Sequence, residues 1–363
     1  MLYNGNRVLM AMSGGIDSTV AALLLLEQGY ELVGVTYRTW DSVSQGCLEK
    51  EKGCCTVDAM MEAKRMCERL GFEHHLLDLR EEFRRTVVSD FVAEYLAGRT
   101  PNPCVRCNAV IKWGELLRLA DQLQCAHIAT GHYARIEATA EGHYLLKGVD
   151  TRKDQSYFLW QLEEQMLART LFPLGNLTKP EVRRIALERG FEALSKKAES
   201  QEICFIPDND YRAFLAAEVT DFAERYWSGE FVDEEGNVLG RHRGYPFYTV
   251  GQRKGLGIAL GEPMYVSRID ALRNRITLAK HDRLYHQTLH ATDCRFADSR
   301  YMERLVDVEA RIRYKSPAVP ATVCAYGTEA DVLFREPVWG IAPGQSVVFY
   351  QGDRVTGGGV ISA

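Results

Sequence analysis

Val8-Leu9-Met10-Ala11-Met12-Ser13-Gly14-Gly15-Ile16-Asp17-Ser18-Thr19-Val20-Ala21-Ala22-Leu23-Leu24-Leu25-Leu26 is the stretch whose reading decides the fold. An apolar strand runs into a paired-glycine turn, and the turn runs into an apolar helix. Adjacent glycines let the backbone fold tightly and present its N–H groups at the positive end of the helix, where a phosphate can be held without any long side chain. Ser13 and Ser18 add hydroxyl donors, and Asp17 offers a hard oxygen suited to magnesium. The Lys of G-x-x-x-x-G-K-[ST] is missing, so this is not a Walker loop.

Outward from that turn, strand-like and helix-like segments alternate. Glu31–Tyr37 reads as a strand, Val57–Leu70 as a helix closed by Gly71, Leu76–Leu79 as a third strand, and Glu82–Leu96 and Ala109–Leu123 as amphipathic helices. His127–Thr130 is a short buried strand that ends at Gly131-His132-Tyr133. The alternation predicts an α/β doubly wound parallel sheet, with ligands at the carboxyl ends of its strands. Tyr37, Gly131 and the Ser13–Ser18 turn then share one edge. From Ser156 to Leu215 the pattern is helical, with a capping box at Thr178-Lys179-Pro180-Glu181. Beyond Trp227 short β-rich runs broken by Gly and Pro predict a small central domain. A second set from Leu289 onward predicts a C-terminal β-barrel. The expected domains are 1–207, 208–285 and 286–363.

A chain of 363 residues, 46% hydrophobic and 26% charged, has the composition of a soluble globular protein. Its net charge of -5 excludes a global basic field, so any RNA surface must be a local patch. Candidates are Arg241, His242, Arg243, Arg253 and Lys254, and then Arg311, Arg313, Tyr314 and Lys315. No signal-like or membrane-spanning pattern is read, so the expectation is a cytoplasmic protein with no membrane partner. Ten cysteines in such a chain are expected to be reduced thiols. Three carry chemical interest: Cys104, Cys107 and Cys204. Cys104-x-x-Cys107 taken alone is half of a zinc site or a redox pair, and Cys54, Cys55 or Cys204 would complete a zinc or iron–sulfur site. The main expectation is no tightly bound metal.

Six segments carry a family resemblance. The Met12–Ser18 turn resembles the pyrophosphate (PP-loop) motif of adenylating ATP pyrophosphatases. It is followed in order by Arg99-Thr100-Pro101-Asn102-Pro103-Cys104-Val105-Arg106-Cys107-Asn108, Ala129-Thr130-Gly131-His132-Tyr133-Ala134-Arg135, Lys153-Asp154-Gln155-Ser156-Tyr157-Phe158-Leu159, Ser200-Gln201-Glu202-Ile203-Cys204-Phe205-Ile206 and Thr249-Val250-Gly251-Gln252-Arg253-Lys254-Gly255-Leu256-Gly257. Together they resemble the tRNA-specific 2-thiouridylase (MnmA/TrmU) family from Val8 to Gln345.

The resemblance implies a PP-loop ATP pyrophosphatase domain, a small central domain and a tRNA-binding β-barrel. The implied reaction adenylates O2 of a wobble uridine with ATP and Mg2+, then replaces that oxygen with sulfur. The implied partners are tRNA, with Lys, Glu and Gln acceptors, and a persulfide donor such as a cysteine desulfurase or a sulfur-relay protein. Carried over residue by residue, Cys204 bears the persulfide, and Cys107 is the nucleophile that releases sulfur and leaves a disulfide. Ala11, Met12, Ser13, Gly14, Gly15, Ile16, Asp17, Ser18, Tyr37 and Gly131 bind ATP, with Asp17 on magnesium. Asn102, Pro103, Cys104, His132, Lys153, Asp154, Gln155, Arg313, Tyr314 and Gln345 meet the tRNA. Cys104 departs from the family pattern, which most often has Asp there, and a neutral thiol cannot supply that charge. Cys107 is expected just before a helix starting near Ala109, where the dipole would lower its thiol pKa. Two other readings stay open. One is a PP-loop synthetase or amidotransferase, in which both cysteine segments would be idle. The other is a metal-bearing RNA-binding module that consumes no ATP.

Overall fold

The computed structural model describes residues 4–40, 57–196, 203–206, 210–298 and 304–362. The chain forms two compact units: Met1–Val87 with Cys104–Asn209 and Asp353–Val355, and Val88–Pro103 with Asp210–Gly352 and Thr356–Ala363.

The first unit is built on β1 (Asn4–Ala11), α1 (Ile16–Glu27), β2 (Glu31–Arg38), α2 (Val57–Leu70), β3 (His74–Asp78) and β4 (Cys125–Ala129). A hairpin, β5 (Ala134–Thr139) and β6 (Gly142–Lys147), and a two-residue strand, β7 (Thr170–Leu171), follow. The sheet order is β3-β2-β1-β4-β7, with every neighbouring pair parallel. Val8, Leu9 and Met10 of the central strand are fully buried, as a strand covered on both faces requires. From β1 the chain moves one way through β2 to β3 and then crosses to β4 on the other side. That reversal opens a crevice at the carboxyl ends of β1 and β4, where doubly wound sheets take their ligands. The parallel sheet expected from the sequence is therefore present, and the Ser13–Ser18 turn and Gly131-His132-Tyr133 flank its switch point.

α1 is apolar around much of its circumference because neighbours cover it on several sides: Val20, Ala21, Ala22 and Leu25 join a core that also holds Val182 and Ala186 of the helix Lys179–Glu188. The predicted capping box at Thr178 is formed, its amide and hydroxyl both reaching Glu181 at 2.7 Å.

Three local expectations need correction. The segment read as one helix from Glu82 starts at Arg80 and passes through a π-helical turn, Arg84–Val88, before Ser89–Leu96. The helix expected near Ala109 starts at Pro103 and contains a second π stretch, Cys107–Trp113, before Gly114–Gln122. Proline, with its φ already fixed, opens that helix six residues early. Within the stretch expected to be wholly helical, Thr170 and Leu171 pair with Ile128 and Ala129 as the edge strand β7, too short to carry a period of its own.

In the second unit, β8 (Gly229–Val232), β9 (Val238–His242), β10 (Tyr265–Asp270) and β11 (Arg275–Ala279) form a four-stranded sheet in the order β10-β11-β8-β9. β12 (Tyr285–Phe296), β13 (Leu305–Arg311), β14 (Val319–Tyr326), β15 (Glu329–Trp339), β16 (Ser346–Gln351) and β17 (Arg354–Ile361) make a six-stranded barrel closed by the pairing of β12 with β17. Along β15, Ala330, Val332 and Phe334 point inward between exposed neighbours, the alternation of a sheet with one wet face. Ser89–Leu96 belongs to this unit, where Phe91 packs on Phe214 and Tyr95 stacks on Tyr211.

Candidate active site

The glycine turn is shaped from within. Gly14 has φ +69°, and a Cβ there would lie 2.7 Å from the Ala59 carbonyl of α2, so only glycine fits. Ser18 is buried; its Oγ accepts from the Ser13 amide at 3.2 Å and donates to the Gly15 carbonyl at 3.1 Å. Ser18 therefore sets the loop's shape, and its Oγ also lies 3.2 Å from that of the exposed Ser13. The amides of the first turn of α1 face the crevice, as the free N–H groups of any helix start do.

Asp17, expected on magnesium, is engaged otherwise. Its two carboxylate oxygens accept from Lys179 Nζ at 2.7 and 2.8 Å, and Oδ1 also accepts from Tyr133 OH at 2.7 Å. A carboxylate neutralised in this way is a poor ligand for a divalent cation, and the magnesium assignment to Asp17 does not fit the site. Lys179 is nearly buried and sits in the first turn of its helix. Its segment was read only as a capping box; the signal that could have found it is a lysine at a helix start, where a cation is disfavoured unless an anion faces it.

Gly131 also has a packing role. A Cβ at this position would sit 2.9 Å from the Asp17 carbonyl carbon and from the Ser18 amide. The glycine lets the end of β4 pack on the start of α1, and so supports the loop.

The Cys107 and Cys204 segments gather at the carboxyl end of β2. Tyr37 OH donates to the Lys112 carbonyl at 3.3 Å, and its phenol pKa is raised by burial and then by the nearby Cys107 and Glu115. On the other flank Phe205 packs on Trp40, two residues past β2, at 6.0 Å and edge-on to Phe83 at 5.5 Å. Cys204, one residue earlier, is half-buried. The early helix start changes the setting of the other two thiols. Cys104 lies in the first turn and is exposed; Cys107 lies further in and is buried, so it is not the residue at the helix entrance. The protein mass around Cys104 raises its thiol pKa, with Lys112 acting in the opposite direction.

His132 is half-buried beside Trp113 and Phe172, and its Nδ1 is 2.8 Å from Thr130 Oγ1. Burial, helped by Lys112, pushes its pKa down to about 3, so the ring is neutral and meets no phosphate as a cation. Asn108, next to Cys107, donates to the Phe158 carbonyl at 3.0 Å, and Trp113 Nε1 donates to Thr170 Oγ1 at 2.9 Å. These two bonds hold the helix by its buried side. Neither was foreseen.

Of the residues expected on tRNA, several are engaged in the fold. Asp154 is buried and accepts from the amides of Gly148 and Ser156 at 3.1 Å each. Gln155 exchanges bonds with the Tyr133 backbone through its side-chain oxygen and its own amide, both at 2.9 Å. Lys153 and Gln155 are both half-exposed. Arg313 donates to the Gly340 carbonyl and, at 3.3 Å, to that of Val250, and lies over Trp339. Gln345 Nε2 donates to the Thr100 and Pro101 carbonyls at 3.0 Å each. It thereby holds the residues just ahead of Asn102 and Pro103. Tyr314 is half-buried. His242, placed in a basic cluster by the sequence reading, is buried, accepts from the Gly244 amide at 3.1 Å and has its pKa lowered by burial to about 4; it is a core residue. Among the described residues no group of three or more His, Cys, Asp or Glu is placed to hold a metal ion. Cys54 and Cys55 lie outside them, as do Ser200, Gln201 and Glu202 of the Cys204 motif. No helix among the described residues is long and apolar enough to cross a membrane.

A glycine turn at the switch point of a parallel sheet, with two thiol-bearing segments on the same edge, defines a nucleotide-binding α/β protein of the PP-loop class. Family models agree: a tRNA methyl transferase HUP domain matches residues 6–208, a tRNA methyl transferase PRC-barrel domain 214–280, and an aminomethyltransferase beta-barrel domain 286–361. The chain is 53% identical over 358 residues to the tRNA-specific 2-thiouridylase MnmA of Amoebophilus asiaticus, covering 98% of this chain and 95% of the relative. It is 49% identical to the protein of the same name from Cytophaga hutchinsonii, covering 98% and 97%. A solved 4-thiouridine synthetase–RNA complex with bound ATP is similar over 60% of this chain and 51% of its own, at 18% identity and a TM-score of 0.37, too low to carry an argument. The chain belongs to the tRNA-specific 2-thiouridylase family.

Proposed function

We propose that this protein thiolates tRNA: it adenylates O2 of a wobble uridine with ATP, and sulfur carried as a persulfide on Cys204 then replaces the adenylated oxygen, giving 2-thiouridine, AMP and pyrophosphate. The observation that carries this reading is the gathering of the Cys107 and Cys204 segments around Tyr37 and Trp40, at the same sheet edge as the glycine turn. A PP-loop synthetase that delivers nitrogen would leave both thiols without work.

Uridine O2 is a poor leaving group, and transfer to the alpha phosphate turns it into part of AMP. The turn's amides and Ser13 hold the phosphate chain, and the positive end of α1 stabilises charge as it builds on departing pyrophosphate. Lys179 keeps Asp17 neutralised beside that turn, so no bare carboxylate repels the polyphosphate. Magnesium supplies charge neutralisation when it accompanies ATP; no residue of this chain is assigned to it. The target base leaves its stack to reach the crevice. Cys107 then attacks the Cys204 persulfide, sulfide departs to C2, and the two cysteines are left joined.

Exchange of Cys204→Ser tests the proposal. Nucleoside mass spectrometry of tRNA incubated with the variant, ATP, magnesium and a sulfur source should find no 2-thiouridine while ATP binding persists. Full thiolation by the variant would rule the proposal out, and stoichiometric metal without AMP release would favour the RNA-binding module.

A further inference from the structure

The mechanism above leaves Cys104 without a task, yet it is the exposed thiol of the helix that carries Cys107. Resting on the thiolation reading, we propose that Cys104 is the resolving cysteine: it attacks the Cys107–Cys204 disulfide at Cys107, forms a Cys104–Cys107 disulfide, and frees Cys204 as a thiol inside the same catalytic cycle.

Position carries the inference. Cys104 and Cys107 stand three residues apart on one helix, so their Cβ atoms are roughly 5–6 Å apart, against about 3.8 Å in a disulfide. Closing that gap needs a shift of only ~1–2 Å, and the local backbone is suited to it. The helix is in its first turn, and it widens to π geometry from Cys107 onward. Accessibility fits the order of events. Cys107 is buried beside Tyr37, where a sulfur delivered by the Cys204 segment would meet it, whereas Cys104 is open to solvent, where a reductant can reach it. Desolvation by the surrounding protein raises the Cys104 thiol pKa, and Lys112, on the same helix, offsets part of that rise.

The balance is complete. The Cys107 thiolate displaces hydrosulfide from the Cys204 persulfide. The Cys104 thiolate then displaces the Cys204 thiolate from the mixed disulfide, and a proton restores the Cys204 thiol. Two thiols have been oxidised to one disulfide, and their two electrons have reduced the sulfane sulfur to the sulfide that enters the tRNA. An external dithiol reductant returns Cys104 and Cys107 to thiols before the next turnover.

The test uses the full chain loaded with inorganic polysulfide, taken through one turnover with a wobble-uridine tRNA transcript, ATP and magnesium. It is then alkylated and mapped by non-reducing peptide mass spectrometry. The wild type should show Cys104 joined to Cys107 and Cys204 alkylated. Cys104→Ser and Cys104→Ala should both trap Cys107 joined to Cys204 and, with dithiothreitol present, turn over at least about tenfold more slowly than the wild type. A wild type that ends with Cys107 joined to Cys204 and Cys104 alkylated overturns the resolving role and leaves thiolation standing. Absence of 2-thiouridine from the wild type overturns both. Stoichiometric iron and sulfide in anaerobically purified protein, lost in Cys104→Ser, overturns the resolving role in favour of a cluster.

Discussion

The Ser13–Ser18 turn and the helix that opens at Pro103 both present chemistry at one edge of a parallel sheet, but they are held in opposite ways. The turn is held largely by backbone: a positive φ at Gly14, contact of Gly14 with the Ala59 carbonyl, and hydroxyl bonds that stay inside six residues. The helix is held by distant side-chain bonds, Asn108 to Phe158 and Trp113 to Thr170, both made from its π stretch. The difference teaches that a phosphate cradle can be written in a short motif, whereas the setting of a reactive thiol depends on where the rest of the chain arrives.

The sharpest way to break that comparison is at the ion pair the turn makes with a distant side chain. Lys179→Met removes the cation from a nearly buried ion pair and leaves Asp17 facing the phosphate site. Because Asp17 is about one-third exposed, the expected loss is about 3 kcal/mol, the low end for a broken buried pair, read by urea unfolding. AMP release should fall with it. A Lys179→Met/Asp17→Asn double variant should recover part of the stability; strict additivity would show that the pair does not couple.

Gly131→Ala tests whether the turn needs its packing partner. The new Cβ meets backbone atoms that cannot rotate away, so about 2 kcal/mol of stability and much of the ATP affinity should be lost, by denaturation and calorimetry. Wild-type affinity would place the glycine outside the loop's support.

On the helix side the expected effects are smaller. Gln345→Ala removes two bonds to the Thr100 and Pro101 carbonyls, which should lower stability by about 1 kcal/mol and loosen the segment ahead of Cys104. Faster hydrogen exchange confined to that segment would report it. An unchanged exchange pattern with weaker tRNA binding would return Gln345 to the RNA surface.

The smallest effect concerns acid. His132 is held neutral, with its pKa lowered from 6.5 to about 3. The unfolded chain takes up a proton below about 6.5 that the folded chain refuses until about 3, so this residue's contribution is full above 6.5 and is lost as pH falls through that window. His132→Gln should flatten the acid side of the stability profile there, and NMR of the wild type should show a ring that does not titrate near neutrality.

Much of the fold was legible because its signals are local. The strand–glycine–helix run, the stop of α2 at Gly71 and the capping box at Thr178 each follow from a few neighbouring residues, and each stands where the sequence predicts. The alternation along the barrel strands is equally local. What stayed hidden needed long-range partners. Nothing near Lys179 in sequence announces Asp17, 162 positions away. Arg313 and Gln345 were expected on RNA from the family resemblance alone; that both also donate to backbone carbonyls within their own unit had no local signal. The helix start at Pro103 was readable in principle, since proline favours a first turn, but Asn102-Pro103 also reads as a loop, and the apolar period begins only later.

The account rests on oxygen leaving the base with the nucleotide. Its most direct test is a tRNA whose wobble uridine carries oxygen-18 at position 2, incubated with the protein, ATP, magnesium and a persulfide source. AMP that carries the heavy oxygen, formed in equal amount to 2-thiouridine, is the predicted result. Unlabelled AMP, or heavy oxygen released to water while 2-thiouridine forms, would contradict it.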